Sequence, residues 1–372
     1  MTAVDSTPAG KKIVICLDGT GNQMKAKGHT NVATLFEMLD LSDPTKQLGY
    51  YDPGVGTLSA ANARGAIAKW FSRMSGLAFG SGLRTNVAEA YMFLMQHWQP
   101  GDEIYVFGFS RGAYTARALV GMLNRPGLLR PGSENLVPYA VREYASNKTF
   151  SKTDLANIAE FSHAFSWGTQ AHPLSKPWQR DEYNMHWHAV PVTYVGVWDT
   201  VKAAGILRLG NLHWPFTREL FNANYVRHAI SIDEYRRPYH EYPVDHREYG
   251  LDQAWFAGVH SDVGGTFEDD PRLAKIALKW IVDGTVDDLL LREGAYARQC
   301  TLDEGFAAGK LHRMGRIWIL AGIRHRKLPD DAKLHASVRA RRKADPSYLP
   351  KLTNADLDER WSDPDWARPQ AR

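Results

Sequence analysis

The sequence predicts an α/β fold: a mostly parallel central sheet with helices on both faces and an inserted cap. Three observations predict it. Short apolar runs rich in β-branched residues suit strands covered on both sides, helical periodicities separate them, and dense turn signals close them. Residues 13–17 (IVICL) are the first strand, stopped by Asp18-Gly19-Thr20-Gly21-Asn22. Val32, Leu35, Phe36 and Leu39 recur at helical spacing and predict a helix over 31–39. Residues 47–51 form a second strand, closed by Pro53-Gly54-Val55-Gly56. Val87, Tyr91, Leu94 and Met95 place a longer helix at about 83–98, stopped by Pro100-Gly101-Asp102. Residues 103–108 (EIYVFG) are a third strand, and a helix follows directly over 111–124. Strand and helix in strict alternation argue for parallel pairing with helical crossovers.

Beyond 124 the pattern loosens. Residues 130–190 are rich in Pro, Trp, His and Tyr with weak periodicity, which marks a cap inserted before the sheet resumes at 193–198 (TYVGVW). Another short strand is expected at 255–259 (WFAGV) and an amphipathic helix at 272–282. The apolar run 317–323 reads as a buried strand, and 324–372 as a charged C-terminal extension. With no repeat and no Gly/Ser linker, residues 1–372 read as one domain with an insertion.

Composition narrows the function classes. The chain has 44% hydrophobic and 23% charged residues, enough for a sizeable core, and a net charge of only +4. That small excess gives no concentrated basic face, so no nucleic-acid partner is expected. Two cysteines, Cys16 and Cys300, are too few for a disulfide framework. The N-terminal MTAVDSTPAGKK has no apolar core for a secretory signal, and no run approaches the roughly 20 apolar residues of a membrane span. A soluble, cytoplasmically made protein is expected, whose export would need a route that reads no cleavable leader.

The sharpest local signal is Gly108-Phe109-Ser110-Arg111-Gly112, a G-x-S-x-G pattern set between an apolar strand and the helix former AYTARALV. In that setting it reads as a nucleophile elbow, the mark of an α/β-hydrolase. The serine sits on a strained turn that lifts its hydroxyl above the sheet edge, and Gly108 and Gly112 leave room for the neighbouring strand and helix. The helix points its first amides, beginning at Arg111, at the place where an oxyanion would develop. A second donor is expected from the turn after the first strand, at Gly19 or Thr20, with Asp18 holding that loop in shape.

A serine nucleophile needs a general base, and the base an orienting carboxylate, in the chain order Ser, Asp, His at strand ends. Asp199 is the first aspartate after Ser110 that ends a strand-like run, in VGVWDT. His260 is the first histidine to end a later one, in AGVHSDVGG. With 14 histidines present, position is what selects it: His228 and His240 lack the strand-end setting, and His186 and His188 read as cap residues with no partners for a metal. Asp262 is assigned to pinning the His260 loop, and Asp245 is a weaker rival for the acid.

VICLDGTGN, YYDPGVGT, GDEIYVFGFSRGAYTARAL, VGVWDTV, RHAISIDEYRRPY and WFAGVHSDVGG, in order over residues 13 to about 282, closely resemble a bacterial α/β-hydrolase family. It was formerly of unknown function and includes the phospholipase effectors of type VI secretion. LHASVRARRKADPSYLP (334–350) resembles its C-terminal segment. The resemblance implies a Ser-Asp-His triad on Ser110, Asp199 and His260, and acyl-ester hydrolysis, with phospholipid the substrate of the effector members. This chain is expected to be compact, without the long C-terminal regions by which those effectors engage membranes or adaptors.

The expected protein is therefore a serine ester hydrolase acting on a small-molecule or lipid ester, with no cofactor and no metal. Arg111 is a candidate contact for an anionic substrate group, set against an outward-facing surface role. Trp167, Trp178 and Trp187 either line an acyl pocket or pack the insertion onto the sheet, packing being the simpler reading. The clusters 324–327 (RHRK) and 339–343 read as a solvated face, with peripheral contact to an anionic membrane the alternative. Two rivals stand beside the hydrolase: a catalytically idle hydrolase fold used for binding, and an aspartyl-nucleophile phosphatase on Asp18. The second is poor, because Cys16 stands where that chemistry needs a further aspartate.

Overall fold

The computed structural model describes residues 10–19, 29–54, 76–146, 151–168, 188–202, 214–285, 288–313, 322–348 and 361–368. Eight parallel strands run in the spatial order β2-β1-β3-β4-β5-β6-β7-β8. They are β1 (Lys12–Leu17), β2 (Gln47–Asp52), β3 (Glu103–Phe109), β4 (Val192–Trp198), β5 (Ala223–Ser231), β6 (Leu251–Phe256), β7 (Lys333–His335) and β8 (Trp361–Ser362). The helices are α1 (Asn31–Met38), α2 (Gly76–His97), α3 (Arg111–Asn124), α4 (Val137–Ser146), α5 (Lys152–Phe165), α6 (His260–Gly264), α7 (Arg272–Asp283), α8 (Ala295–Cys300) and α9 (Ala336–Ala344).

Side-chain alternation along the buried strands feeds two separate cores. Ile13, Ile15, Leu17, Ile104 and Val106 point to one face, where α2, α3 and α4 pack. Val14, Cys16, Tyr105, Phe107 and Trp198 point to the other, against α1, α7 and α8. A third cluster joins Ile230, Trp255, Leu334 and Val338 where β6 meets β7 and α9. This is the α/β-hydrolase architecture: a parallel sheet between two helical layers. No described helix is long and apolar enough to cross a membrane.

The strand order reverses direction between β1 and β3, and in open parallel sheets the crevice beyond the strands' carboxyl ends at such a point is where ligands bind. Within the expected cap, α4 packs Val137, Ala140, Val141 and Tyr144 into the α2–α3 layer. Trp167 packs edge-on against Trp98 at 6.0 Å, in keeping with the packing reading. Trp178, Trp187 and His186 lie outside the described residues, as does most of the 317–323 run.

Three parts of the sheet differ from the sequence reading. One is β6, expected at 255–259 but running Leu251–Phe256, so that His260 follows the strand by a short turn rather than ending it. β5 runs through Asn224, Arg227 and His228, and these polar residues hid a strand whose second half is wholly buried. The C-terminal segment also joins the fold, through β7, α9 and β8, rather than only trailing from it as charged surface.

Candidate active site

Ser110 closes β3 and precedes α3 with φ 60 and ψ −121, outside the regions an L-residue ordinarily adopts. Such a conformation costs on the order of 1–3 kcal/mol and persists only when the surroundings enforce it. The surroundings are backbone. A Cβ at Gly112 would lie 2.1 Å from the Leu17 carbonyl oxygen and 2.5 Å from that of Asp18, so the start of α3 presses on the end of β1. A Cβ at Gly108 would lie 2.7 Å from Ala113 Cα. A serine before a helix usually caps it through its hydroxyl, but Ser110 makes no side-chain cap bond.

The hydroxyl is directed elsewhere. Ser110 Oγ lies 2.8 Å from His260 Nε2, and His260 Nδ1 lies 2.5 Å from Asp199 Oδ2. All three side chains are buried. A carboxylate only accepts, so Nδ1 carries the imidazole proton and Nε2 accepts from the serine. Asp199 ends β4 at φ 40, a second strained position, with its amide on the Ala229 carbonyl at 2.7 Å. His260 opens α6 just beyond β6, its ring stacked on Phe109 at 4.6 Å and met edge-on by Tyr239 at 4.8 Å. Residues far apart in sequence converge because β3, β4 and β6 all release their chains on one edge of the sheet.

Asp199 is held on every side. Its carboxylate accepts the Ser231 amide at 2.8 Å and the Ser231 hydroxyl at 3.2 Å. Arg326 forks onto it, Nη1 to Oδ1 at 2.5 Å and Nη2 to Oδ2 at 3.0 Å. Burial alone would raise the Asp199 pKa, but Arg326 and His260 overcome it and hold the carboxyl well below its usual range. Burial pushes the His260 pKa down, against the pull of Asp199, so the neutral ring is favoured. Glu234 accepts the His260 amide at 3.2 Å and is itself gripped by Arg236 at 2.8 and 2.7 Å.

The supporting residues fall as follows. Asp18 is buried and accepts the Gly19 amide at 2.6 Å, the Thr30 hydroxyl at 2.5 Å and the Tyr51 hydroxyl at 2.9 Å. It shapes the loop after β1, and these engagements leave it poorly placed to be a nucleophile. The Gly19 amide is thereby already bonded, and Thr20 lies outside the described residues. Asp262 accepts the Val259 amide at 3.0 Å and meets His312 Nδ1 at 2.6 Å, tying down the turn that carries His260. Arg111 is half-buried rather than outward-facing; burial lowers its pKa to about 10, and it interacts electrostatically with Tyr239.

The other histidines and acids have different employment. His228 is buried beneath the site, accepting the Thr200 amide at 3.3 Å and facing Gln253 Oε1 at 2.9 Å. His188 meets the Trp167 carbonyl at 2.9 Å, His240 its neighbour's carbonyl at 3.0 Å, and Asp245 pairs with Arg218 at 2.6 Å. No group of His, Cys, Asp or Glu suited to a metal occurs among the described residues.

Arg326 corrects the sequence reading. The run 324–327 reads as a solvated or membrane-facing cluster, yet Arg326 is buried against Asp199. Charge alone does not distinguish a surface arginine from one whose partner arrives from another strand. Ser231, Glu234, Arg236 and Tyr239 all lie in RHAISIDEYRRPY, one of the motifs that carry the family resemblance, and no residue type in it signals a site by itself.

The chain is similar to several known proteins. Over 234 residues, 61% of this chain, it is 33% identical to an uncharacterized protein of Saccharomyces cerevisiae, of which the match spans 32%. A crystal structure of an uncharacterized protein from Pseudomonas aeruginosa aligns with 80% of this chain and 50% of its own, at 16% identity and a TM-score of 0.45. The structure of the Tle1 effector bound to the VgrG spike of the type VI secretion system aligns with 70% and 52%, at 17% identity and a TM-score of 0.31. This chain thus spans about a third to a half of those proteins. The model of the type VI secretion phospholipase effector Tle1-like catalytic domain matches residues 11–284, and the chain belongs to that family.

Proposed function

We propose that this chain hydrolyses acyl esters of phospholipids through an acyl-enzyme formed on Ser110. One observation carries the reading: the unbroken relay from the Ser110 hydroxyl through the His260 imidazole to the Asp199 carboxylate, at 2.8 and 2.5 Å, with the serine on a strained strand-to-helix turn. Ser110 attacks the ester carbonyl while His260 Nε2 takes its proton. His260 then protonates the departing alcohol, activates a water, and returns the proton to the serine as the acyl group leaves. Asp199 fixes the tautomer and stabilises the imidazolium. The chemistry needs neither metal nor cofactor.

The Arg111 amide, first in α3, is assigned to the oxyanion, where it acts together with the helix dipole. The second donor is assigned to the loop after β1. The candidates there are Gly19, whose amide is engaged by Asp18, and Thr20, which lies outside the described residues. Phospholipid is favoured by membership of a phospholipase effector family and by Arg111, half-buried and next in sequence to the nucleophile, whose guanidinium suits a phosphate.

The test is a panel of short esters, long-chain esters and phospholipids, run with wild type and Ser110→Ala, alongside labelling by a fluorophosphonate. Release of fatty acid by wild type, its loss in Ser110→Ala, and a label confined to Ser110 are expected. A folded wild type that neither labels nor hydrolyses any ester would instead be a binding module.

A further inference from the structure

We propose that Arg326 is a positioning residue of the active site, supplied by the C-terminal segment, which locks the Asp199 carboxylate and balances its charge so that His260 stays a neutral base. The inference rests on the hydrolase reading above but concerns a residue outside it. Arg326 lies beyond residue 284, where the match to the family's catalytic domain ends. The segment carrying it is tied to the sheet by β7 pairing with β6 and β8 pairing with β7.

The geometry is that of a built site. The guanidinium is almost completely buried and spans both oxygens of Asp199, at 2.5 and 3.0 Å. Nη1 also reaches the Ser231 carbonyl at 2.8 Å and hydroxyl at 2.7 Å, and Nη2 the Tyr239 carbonyl at 2.6 Å, while Nε makes no hydrogen bond. One side chain therefore joins the acid at the end of β4, the end of β5, and the Tyr239 segment whose ring meets His260. Planar fork geometry fixes the carboxylate's plane, which a lysine's point charge does not.

The charge effect has a definite sign. An isolated buried carboxylate beside an imidazole strongly favours the imidazolium, which cannot act as a base. With Arg326 in place, Asp199 still orients the ring, but its charge is balanced. The other groups facing this pair are Arg236 and Glu234, bound to each other, Glu241 with Oε2 3.7 Å from Arg326 Nε, the Tyr239 phenol, Arg111 beyond it, and neutral His228 behind Thr200. Arg326 is the largest influence lowering the Asp199 pKa, so it acts on His260 through that carboxylate, while on His260 directly burial comes first and Arg236 is the cation that adds to it.

The measurement is the pH dependence of kcat/KM on one ester substrate for wild type, Arg326→Gln and Arg326→Lys, with each fold checked by circular dichroism. Arg326→Gln removes the cation, so its acid limb moves to higher pH. Its ratio of activity at pH 8 to pH 6 is expected to exceed that of wild type about 5-fold. Arg326→Lys keeps the charge and loses the fork, so its pH profile stays near wild type while kcat falls about 10-fold at unchanged KM. A folded Arg326→Gln with the wild-type profile overturns the proposal, as does an Arg326→Lys with wild-type kcat. Should Arg326→Gln not fold, the lysine variant and the wild type decide alone: a wild-type acid limb at or above the ordinary imidazole value of 6.5 overturns the charge role. Absence of Ser110 labelling in wild type would sink the hydrolase reading and this inference with it. Labelling and turnover with an indifferent Arg326 would sink only the latter.

Discussion

At the scale of single residues, the site depends on groups kept from their ordinary behaviour. Ser110 stands before a helix without capping it, and Asp199 keeps its charge in the interior because Arg326 and His260 share it. Asp199→Asn leaves the shape nearly unchanged but turns one acceptor oxygen into an NH2 donor and removes the charge, so the His260 tautomer is no longer fixed. Turnover is expected to fall on the order of 10⁴-fold, the size of the corresponding change in other serine hydrolases. The same substitution strands a buried guanidinium, so stability should drop by about 3–5 kcal/mol. Steady-state kinetics and denaturant unfolding of the variant check both; retention of a tenth of wild-type turnover refutes the orienting role. Arg111→Ala is expected to weaken turnover of phospholipid about 10-fold more than that of a neutral short ester. Equal losses on the two substrates would remove Arg111 from recognition.

At the scale of elements, the elbow is made by the approach of α3 to β1. Gly112→Ala would drive a methyl group into the Leu17 and Asp18 carbonyl oxygens, which belong to backbone and cannot swing away. A loss of about 1–3 kcal/mol is expected, together with loss of activity as Ser110 shifts. An unchanged melting temperature for the alanine variant would show that the contact is not tight. Arg117, buried in the middle of α3, donates to the carbonyls of Thr217, Tyr242 and Pro243 at 2.5, 2.6 and 2.9 Å. It fastens to α3 the chain on either side of β5. Arg117→Met should destabilise by about 2–4 kcal/mol, because three carbonyls lose their donor. Comparison of the urea midpoints of the two proteins tests this.

These elements also show what kind of order a sequence carries. α3 begins and ends where periodicity and turn signals place it, and β1 and β3 differ from expectation by one residue at an end. Buried parallel strands and amphipathic helices declare themselves through their own residues. β5 did not, because Arg227 and His228 answer to partners on other elements: the Trp280 carbonyl for the arginine, Gln253 and Thr200 for the histidine. A polar residue satisfied from a distance looks, in one dimension, like a surface residue.

At the scale of the whole molecule, buried histidines make stability depend on pH. Burial pushes the His228 pKa down to about 3. A folded-state pKa below the unfolded value means the unfolded chain takes up the proton first. The stabilisation is complete above about 6.5 and is lost as pH falls from there toward 3. His260 and His335 shift in the same direction, also chiefly by burial. Asp52, Asp233 and Asp262, raised by burial, oppose the trend near the carboxylate range. The contribution of His228 can be isolated with His228→Gln. The stability gap between wild type and variant should narrow as pH is lowered from 7 to 4, read from denaturant midpoints at each pH. A gap constant across that range would mean that His228 does not resist protonation in the fold.

By itself the sequence determined the layered α/β architecture and the strand-to-helix turn at Ser110, and it named Asp199 and His260 as candidates by their order in the chain after strand-like runs. It could do so because periodicity, turn chemistry and chain order are local or ordinal properties. Only the tertiary structure brought the three side chains within 2.8 and 2.5 Å, enclosed Asp199 with Ser231 and Arg326, and committed the Gly19 amide to Asp18. Those are matters of distance between residues up to 150 positions apart. An arginine in a basic run acquires its partner only when the sheet has closed around it.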